Sequence, residues 1–216
     1  LLLSAICAPL TWACSFFAAV MLRRAAGAAR LQSALLIPYL LPTSAILLIF
    51  QSAFDYGGVV NRALAALGGA RVLWLGSGAL RLPVVLMYLW KNLGFCVVIF
   101  TAALMSVPEA YYEYAELEGA SAARRALSIT LPLVAPTAYL VFVLAWINAF
   151  KIFKEVYFIA GAYPDVSVYT LQHYMNNMFA KLNYQFVTTA AYSFAALVVA
   201  LFAALYALMM RARRGM

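Results

Sequence analysis

Five long apolar runs constrain this chain more than any other feature of its sequence. A transmembrane helix needs roughly 20 mostly apolar residues, and in lipid its backbone polar groups must bond within the segment. The runs cover about residues 2–22, 32–54, 82–107, 136–160 and 187–210. Each run predicts a membrane-spanning helix. We therefore expect an all-α, polytopic helical bundle that forms a single transmembrane domain over residues 1–216.

The overall composition agrees with a bilayer as solvent. Apolar residues make up 67% of the chain and charged residues 10%, whereas about a quarter of a soluble domain is charged. The first run is too long for a signal-peptide core and has no basic stretch before it, so it is predicted to be a true span. Five spans place the two termini on opposite sides. We therefore expect a fragment of a longer protein, with one further helix upstream.

The lysines and arginines predict which loops are cytoplasmic, because cytoplasmic loops near spans are enriched in them. Eight lie between runs one and two, between runs three and four, or after run five: Arg23, Arg24, Arg30, Arg124, Arg125, Arg211, Arg213 and Arg214. The opposite loops hold four: Arg62, Arg71, Arg81 and Lys181. The polar stretch after run three is therefore predicted to be cytoplasmic. The net charge of +8 is explained by anionic membrane lipids and requires no nucleic acid.

The sequence offers no pattern typical of a catalytic or metal site. The single histidine, His173, has no cysteine or second histidine near it, and no glycine-rich phosphate loop is present. We expect His173 to be solvated in an external polar loop. The three cysteines lie in apolar runs without paired spacing and are interpreted as packing residues. No catalytic residue, no metal ligand and no cofactor bound by this chain is predicted.

The polar stretch "EYAELEGASAARRALSITLPLVAP", residues 113–136, carries an ordered motif. Three residues separate Glu113-Tyr114-Ala115 from Gly119, and nine residues separate Gly119 from Ile129. One further residue separates Ile129 from Leu131-Pro132. The pattern resembles the cytoplasmic EAA loop of binding-protein-dependent ABC importer permeases, with Tyr114 in place of an alanine. The resemblance implies docking onto an ATPase subunit through these residues: Glu113, Tyr114, Ala115, Glu118, Gly119, Ala120, Ile129, Leu131 and Pro132.

The residues of this coupling loop, about 109–131, suit that role independently of the resemblance. Residues 109–123 have helical composition, and Glu109, Glu113 and Glu116 come early, near the positive end of a helix dipole. Gly119 permits a bend or a close backbone approach. A short amphipathic helix of this kind is able to insert into a groove on a partner. The alternative is a solvated connector.

Further matches favour the carbohydrate branch of the family, the maltose and glycerol-3-phosphate type. The resembling segments are 37–42, 58–61, 90–95, 149–153 and 164–179. In the external loop, Ala162-Tyr163-Pro164 replaces the usual Gly-Gly-Pro. The resemblance implies the type I importer permease fold and transport of a sugar or related solute. A non-sugar solute, a secondary transporter and an integral-membrane enzyme are the alternatives.

The same resemblance implies partners and a location. A second permease subunit, two ATP-binding cassette ATPases holding ATP and Mg, an extracytoplasmic solute-binding protein and membrane lipids are expected. The expected location is the plasma (inner) membrane of a bacterium or an archaeon, as a multi-pass protein. The chain itself is expected to be no enzyme, since ATP hydrolysis belongs to the partner.

Polar residues inside the apolar runs indicate a candidate translocation pathway, because charges in a span usually face a cavity or a partner. Asn148, Lys151 and Glu155 have the spacing of one helical face, and Lys151 is placed to pair with Glu155. Trp90, Lys91 and Asn92 form a second cluster. Helix-helix contacts and snorkelling to the interface are the alternative interpretation. The predicted pathway residues are Asn148, Lys151, Glu155, Trp90 and Asn92.

Overall fold

A computed structural model describes residues 2–23, 25–76 and 78–214, with side chains described as far as residue 211. Arg24 and the side chains of Arg213 and Arg214, which entered the count of cytoplasmic charges, lie outside the described residues. Every regular element in the described part is helical. The helices are α1 (Leu2–Leu22), α2 (Ala28–Leu40), α3 (Thr43–Phe54), α4 (Val59–Ala66), α5 (Arg81–Met105), α6 (Ala110–Leu117), α7 (Ala122–Arg125), α8 (Leu131–Leu133), α9 (Ala135–Phe150), α10 (Phe153–Ala160), α11 (Leu171–Ala180) and α12 (Tyr184–Arg214). A 3-10 turn, Gly78–Leu80, precedes α5, and a π-helical turn, Ala126–Thr130, precedes α8.

Five segments of the described residues are long and apolar enough to cross a membrane. They are Leu2–Leu22, Thr43–Ala66, Gly78–Met105, Ala135–Ala160 and Tyr184–Arg211. The prediction of an all-α protein with about five membrane-spanning helices is therefore confirmed. The first, third, fourth and fifth segments overlap the predicted runs closely.

The second apolar run, predicted as one helix over residues 32–54, is divided into two helices. The structure breaks it at Leu41 and Pro42, so that α2 ends at Leu40 and α3 begins at Thr43. Pro42 has no N–H to donate and keeps the residue before it out of the helical region. Pro38, by contrast, lies buried inside α2. The candidate span moves along the chain to Thr43–Ala66 and includes α4.

The fourth run is also interrupted, between Phe150 and Phe153. Lys151 and Ile152 form a turn there, and no proline or glycine marks the position. Because the helical register is lost at Lys151, residues before and after the turn do not share one continuous face.

The chain forms two compact units, which we describe separately. The first combines the start of α1 with Leu40–Lys91 and Trp146–Leu197. One of its cores is built on Ile46, Leu47 and Met87. The segment after α4 is held by the buried Asn61, whose amide donates to the Val72 carbonyl at 2.9 Å and accepts from the Val72 N–H at 3.0 Å. The paired bonds hold the segment after α4 as a fixed loop.

The second unit combines Ala8–Tyr39 and Asn92–Ala145 with the last part of α12. Phe16 of α1 meets Phe100 of α5 edge to face at 5.5 Å, and Trp12 Nε1 donates to the Ala138 carbonyl of α9 at 2.7 Å. Gly94 lets α5 approach α2 closely, since a Cβ there would lie 1.8 Å from the Leu35 carbonyl oxygen. Tyr112 and Ala126 of the coupling loop belong to the same buried core as Phe16 and Phe100, so this core is the packed base of the coupling loop.

Candidate docking segment and intramembrane polar cluster

Helix α6 begins after Pro108 and carries acidic residues at its start. Glu109 is the N-cap residue and Glu113 lies in the first turn. Negative charges at this end interact favourably with the helix dipole. The early glutamates thus help to form a helix of only eight residues, which is too short to be stable by itself.

Gly119 ends this helix. Its φ is +74°, a left-handed conformation that costs a residue with a side chain roughly 1–2 kcal/mol. The Gly119 N–H donates to the Glu116 carbonyl at 3.0 Å, and the Ala120 N–H donates to the Ala115 carbonyl at 2.9 Å. This is a Schellman motif. The stretch of helical composition over residues 109–123 thus forms two helices, and the chain turns between them at Gly119, where a bend was predicted.

One face of α6 is apolar and exposed. Tyr111, Tyr114 and Leu117 are exposed to 51%, 71% and 84%, and their spacing of three residues places them in one row. Tyr112 and Ala115 are buried on the other side of the helix. Of the predicted docking residues, Glu113, Tyr114, Glu118 and Gly119 are exposed, Ala115 lies beneath them, and Ala120 is half-buried.

The second half of the coupling loop leads back into the spans. The Ser121 hydroxyl accepts the Arg124 N–H at 3.3 Å and so caps α7. Ile129 is half-buried and Leu131 packs against the core of the second unit. Pro132 lines an apolar cavity of about 560 Å³ beside Trp12 and Tyr139. The last three residues of the motif, Ile129, Leu131 and Pro132, thus lie on the packed base and not in the exposed row.

Several contacts behind α6 join it to its base, and the sequence did not mark them as functional. The Arg23 guanidinium lies 3.8 Å from the centre of the Tyr112 ring and forms an ion pair with Glu109. Arg125 forms an ion pair with Glu116. The Tyr112 hydroxyl lies 3.0 Å from the buried Thr130 hydroxyl. The sequence contained the charges and the hydroxyls, but not their pairing.

The first unit contains a polar cluster within the candidate spans. Lys91 Nζ of α5 donates at 2.9 Å both to Glu155 Oε1 of α10 and to the hydroxyl of Thr43 at the start of α3. Glu155 Oε2 is buried and has no hydrogen-bond partner among the residues that the structure describes. The predicted pairing of Lys151 with Glu155 is wrong. The helix breaks at Lys151, and Glu155 is paired with Lys91 instead.

The other predicted pathway residues are distributed over both units. Asn148 is half-buried in α9 and Lys151 is exposed in the turn. Trp90 is exposed and contacts Phe50 at 5.8 Å. Asn92 is buried in the second unit. Lys91, which was grouped with Trp90 and Asn92 but not chosen as a pathway residue, occupies the centre of the polar cluster.

His173 is buried, so the prediction of a solvated histidine is wrong. Its exposed fraction is 0%, and its ring lies 4.6 Å from the Phe153 ring and 5.5 Å from that of Tyr169. It forms a capping box at the start of α11, where Nδ1 accepts the Thr170 N–H at 3.2 Å. Burial lowers the pKa of His173 from 6.5 to about 4. The imidazole is therefore neutral at pH 7 and closes a helix end.

Nearly all of the chain matches one known protein family. Residues 12–214 match the family described as "Binding-protein-dependent transport system inner membrane component". The sulfoquinovosyl glycerol transport system permease protein SmoG of Agrobacterium fabrum is 35% identical over 66% of this chain and 47% of its own. The diacetylchitobiose uptake system permease protein NgcF of Streptomyces coelicolor is 34% identical over 82% of this chain and 52% of its own.

A third relative, the trehalose/maltose transport system permease protein MalF of Thermococcus litoralis, is 32% identical over 68% of this chain and 51% of its own. The chain thus spans about half the length of these relatives. A solved chain of a bacterial alginate ABC transporter, in complex with an alginate pentasaccharide-bound periplasmic protein, is similar in fold. Its TM-score is 0.82 at 20% identity, covering 98% of this chain and 76% of that chain.

Proposed function

This chain belongs to the family of binding-protein-dependent transport system inner membrane components, and from that premise we propose that it is the permease subunit of an ATP-driven importer. It is a multi-pass membrane protein with five candidate spans. In this proposal the spans form the translocation pathway and the coupling loop binds the ATPase. ATP and Mg are bound by the partner, and this chain converts the motion of the partner into access to the pathway.

The exposed row on α6 is the observation that carries the proposal. Tyr111, Tyr114 and Leu117 place an apolar stripe on a helix whose opposite face is already buried. A short helix with exposed anchors at this spacing suits a groove on a partner protein. The Schellman motif at Gly119 sets the length of this helix and supports a rigid docking element.

The proposed orientation places this row on the cytoplasmic side. Arg124 and Arg125 lie in α7, the next helix after α6. Arg23 follows α1 and Arg30 lies in the first turn of α2, both between the first and second candidate spans. Closure of the ATPases on ATP would then displace α6. The spans would respond by exposing the pathway alternately to the cytoplasm and to the outside.

Lys91, Glu155 and Thr43 are the strongest candidates for polar residues along that pathway. A charged side chain inside a span is costly and is usually paired or turned towards a cavity. Glu155 Oε2 keeps an accepting site for the hydroxyl group of a solute, because no other described residue bonds to it. The alternative is that the cluster holds α3, α5 and α10 together.

We propose that the solute is a sugar or a related polyhydroxylated compound. The relatives named above are described as transporters of a sugar-bearing glycerol, a chitobiose derivative and disaccharides. A non-sugar solute is the second candidate. Relatives described as sn-glycerol-3-phosphate permeases are 32% identical over 69% of this chain, which favours testing a phosphorylated polyol beside sugars.

The proposed assembly contains a second permease subunit, two ATPase subunits and an extracytoplasmic solute-binding protein. Its proposed location is the plasma membrane of a bacterium or an archaeon, in contact with membrane lipids. The name of the family implies the binding protein, and the exposed row on α6 implies the ATPase.

Purification of the full-length complex tests the proposal. A tagged permease should retain stoichiometric ATPase subunits, and the complex in lipid vesicles should hydrolyse ATP faster when solute-loaded binding protein is added. The matched control is the same complex with ligand-free binding protein. A permease that moves solute in a proton or sodium gradient, without any ATPase, would contradict the proposal and identify a secondary transporter.

A further inference from the structure

Tyr112 and Thr130 connect α6 to the helix that follows the coupling loop. We propose that these two are positioning residues that transmit the displacement of α6 to the start of α9, and that Arg23 holds the tyrosine in place. The inference rests on the proposed function, because it assumes that a partner moves α6. It assigns the transmission to one buried hydrogen bond behind the docking surface, on the side away from the partner.

The hydrogen bond is built at a defined place. The Tyr112 hydroxyl lies 3.0 Å from Thr130 Oγ1, 18 residues along the chain, and both side chains are buried. Thr130 Oγ1 itself donates to the Arg125 carbonyl at 3.2 Å. The Tyr112 hydroxyl is therefore the donor to Thr130. Two consecutive hydrogen bonds thus link the buried face of α6 to the backbone of the loop.

Thr130 is the last residue of an unusual turn. Residues Ala126–Thr130 are π-helical, and the Leu131 N–H donates to the Ala126 carbonyl, five residues earlier. Such turns hold one more residue than an α-helical turn and are often found at functional sites. Immediately after it, the Val134 N–H donates to the Thr130 carbonyl at 3.0 Å in α-helical spacing. A change at Thr130 therefore acts at the boundary between the π turn and the helices leading to α9.

The hydrogen bond lies at the edge of the apolar core of the second unit, to which Tyr112 and Ala126 belong. A cavity of about 260 Å³ lies behind α6, and its lining includes Tyr112, Thr130, Arg23 and Ala126. Tyr112 and Thr130 are both buried beside it, so their hydrogen bond is shielded from water. The bond is therefore placed to transmit a displacement of α6 to Thr130. A buried hydrogen bond in a low dielectric is suited to this role.

Arg23 restricts where the tyrosine ring lies. Its guanidinium stacks over the ring at 3.8 Å, and its ion pair with Glu109 ties the end of α1 to the residue before α6. The ring is thus held from one side by Arg23 and at its hydroxyl by Thr130. Because the Tyr112 ring has little freedom to rotate, a displacement of α6 also displaces the Tyr112 hydroxyl and, through the hydrogen bond, Thr130.

Removal of single hydroxyl groups tests the inference in the reconstituted complex with its ATPases and binding protein. Tyr112→Phe and Thr130→Val should leave the amount of bound ATPase and the basal ATP hydrolysis unchanged. Solute transported per ATP should fall about fivefold, the effect expected from losing one net hydrogen bond. The double variant should be no worse than Thr130→Val alone, because Thr130→Val already removes the bond to Tyr112 as well as the bond to the Arg125 carbonyl.

Two control variants separate the hydroxyl from packing. Thr130→Ser keeps the hydroxyl and should retain the coupling ratio. Tyr192→Phe removes a hydroxyl from an exposed tyrosine of α12 and should also retain it. If Thr130→Ser uncouples transport as strongly as Thr130→Val, the methyl group and not the hydrogen bond is responsible, and the inference is overturned.

The outcomes also separate this inference from the proposed function. A wild-type chain that binds no ATPase would contradict the proposed function itself. If the wild-type complex couples normally, and Tyr112→Phe and Thr130→Val give the same transport per ATP as wild type, only the inference is contradicted. A loss of transport in strict proportion to lost ATPase subunits would also overturn it, because the residues would then act in docking.

Discussion

At the scale of single residues, Gly119 shows how one backbone angle determines a surface. Its positive φ ends α6 after Leu117 and exposes the row of Tyr111, Tyr114 and Leu117 as a discrete element. No side chain approaches the position, since a Cβ on Gly119 would meet nothing within 4 Å. The glycine is required for its conformation and not for space.

We predict that Gly119→Pro weakens ATPase binding and abolishes most solute-stimulated ATP hydrolysis. Proline cannot adopt a φ of +74° and has no N–H for the Glu116 carbonyl, so the local cost is at least about 3 kcal/mol. Co-purification and ATPase assays measure the effect. Gly119→Ala, with a cost of roughly 1–2 kcal/mol, should give an intermediate result.

The matched control is Gly68, which has a φ of +80° at the end of α4. Its N–H donates to the Ala65 carbonyl at 3.0 Å, as the Gly119 N–H does to Glu116. Gly68→Pro should leave ATPase binding intact. Equal ATPase loss in both variants would mean that general instability, and not the shape of the coupling loop, causes the effect.

Lys91 and Lys151 are both lysines of candidate spans, yet their surroundings differ. We predict that Lys91→Met lowers the stability of the purified protein by about 3 kcal/mol, because it leaves Glu155 buried without its partner. Lys151→Met, at an exposed turn, should change stability little. Thermal unfolding in detergent compares the two.

Solute uptake is the second measurement for this pair. The pathway role of Lys151 stays a prediction, and a loss of transport without a loss of stability would support it. Equal unfolding temperatures for the two variants would contradict the importance of the Lys91–Glu155 pair.

At the scale of helices, α11 shows a capping device that depends on a neutral histidine. In the folded protein His173 Nδ1 accepts the Thr170 N–H, which requires an unprotonated nitrogen. Burial of the His173 ring between Phe153 and Tyr169 lowers its pKa from 6.5 to about 4. Protonation in the unfolded chain therefore competes with folding.

We predict that stability falls as the pH decreases from 6.5 towards 4. In this window the unfolded state binds a proton at His173 that the folded state does not, and below about 4 both states bind it. The loss from this group approaches about 3 kcal/mol at its largest. His173→Gln keeps a polar acceptor in the capping box and should flatten the dependence. Unfolding temperatures of both proteins between pH 4 and 7.5 measure it, and parallel curves would contradict the assignment.

At the scale of the whole molecule, the arrangement of charges predicts the membrane orientation. We predict that a cysteine replacing Ser121 is labelled only from the cytoplasmic side, and one replacing the exposed Val166 only from outside. The background should carry Cys14→Ser, because Cys14 is exposed whereas Cys7 and Cys96 are buried. A membrane-impermeant reagent applied to intact cells and to inverted vesicles measures both. Labelling of position 121 from outside would reverse the orientation.

Much of the fold was predictable because membrane insertion depends on consecutive residues. About 20 apolar residues predict a span whatever lies elsewhere in the chain. The positions of α1, α5 and α12 agree with the sequence for this reason. Gly119 was predictable as a bend because left-handed backbone favours glycine locally. The motif from Glu113 to Pro132 predicted the family because its residue types and their spacing are contained in one short stretch of sequence.

Only the tertiary structure decided which polar groups meet. Lys91 and Glu155 are 64 residues apart, and nothing local distinguishes this pairing from the one predicted between Lys151 and Glu155. The helix is interrupted before Phe153 without a proline or glycine, so the sequence did not predict the interruption. The burial of His173 and the bond between Tyr112 and Thr130 likewise depend on neighbouring helices. Apolar length and backbone angle are properties of a segment, whereas pairing and burial arise only when separate segments pack.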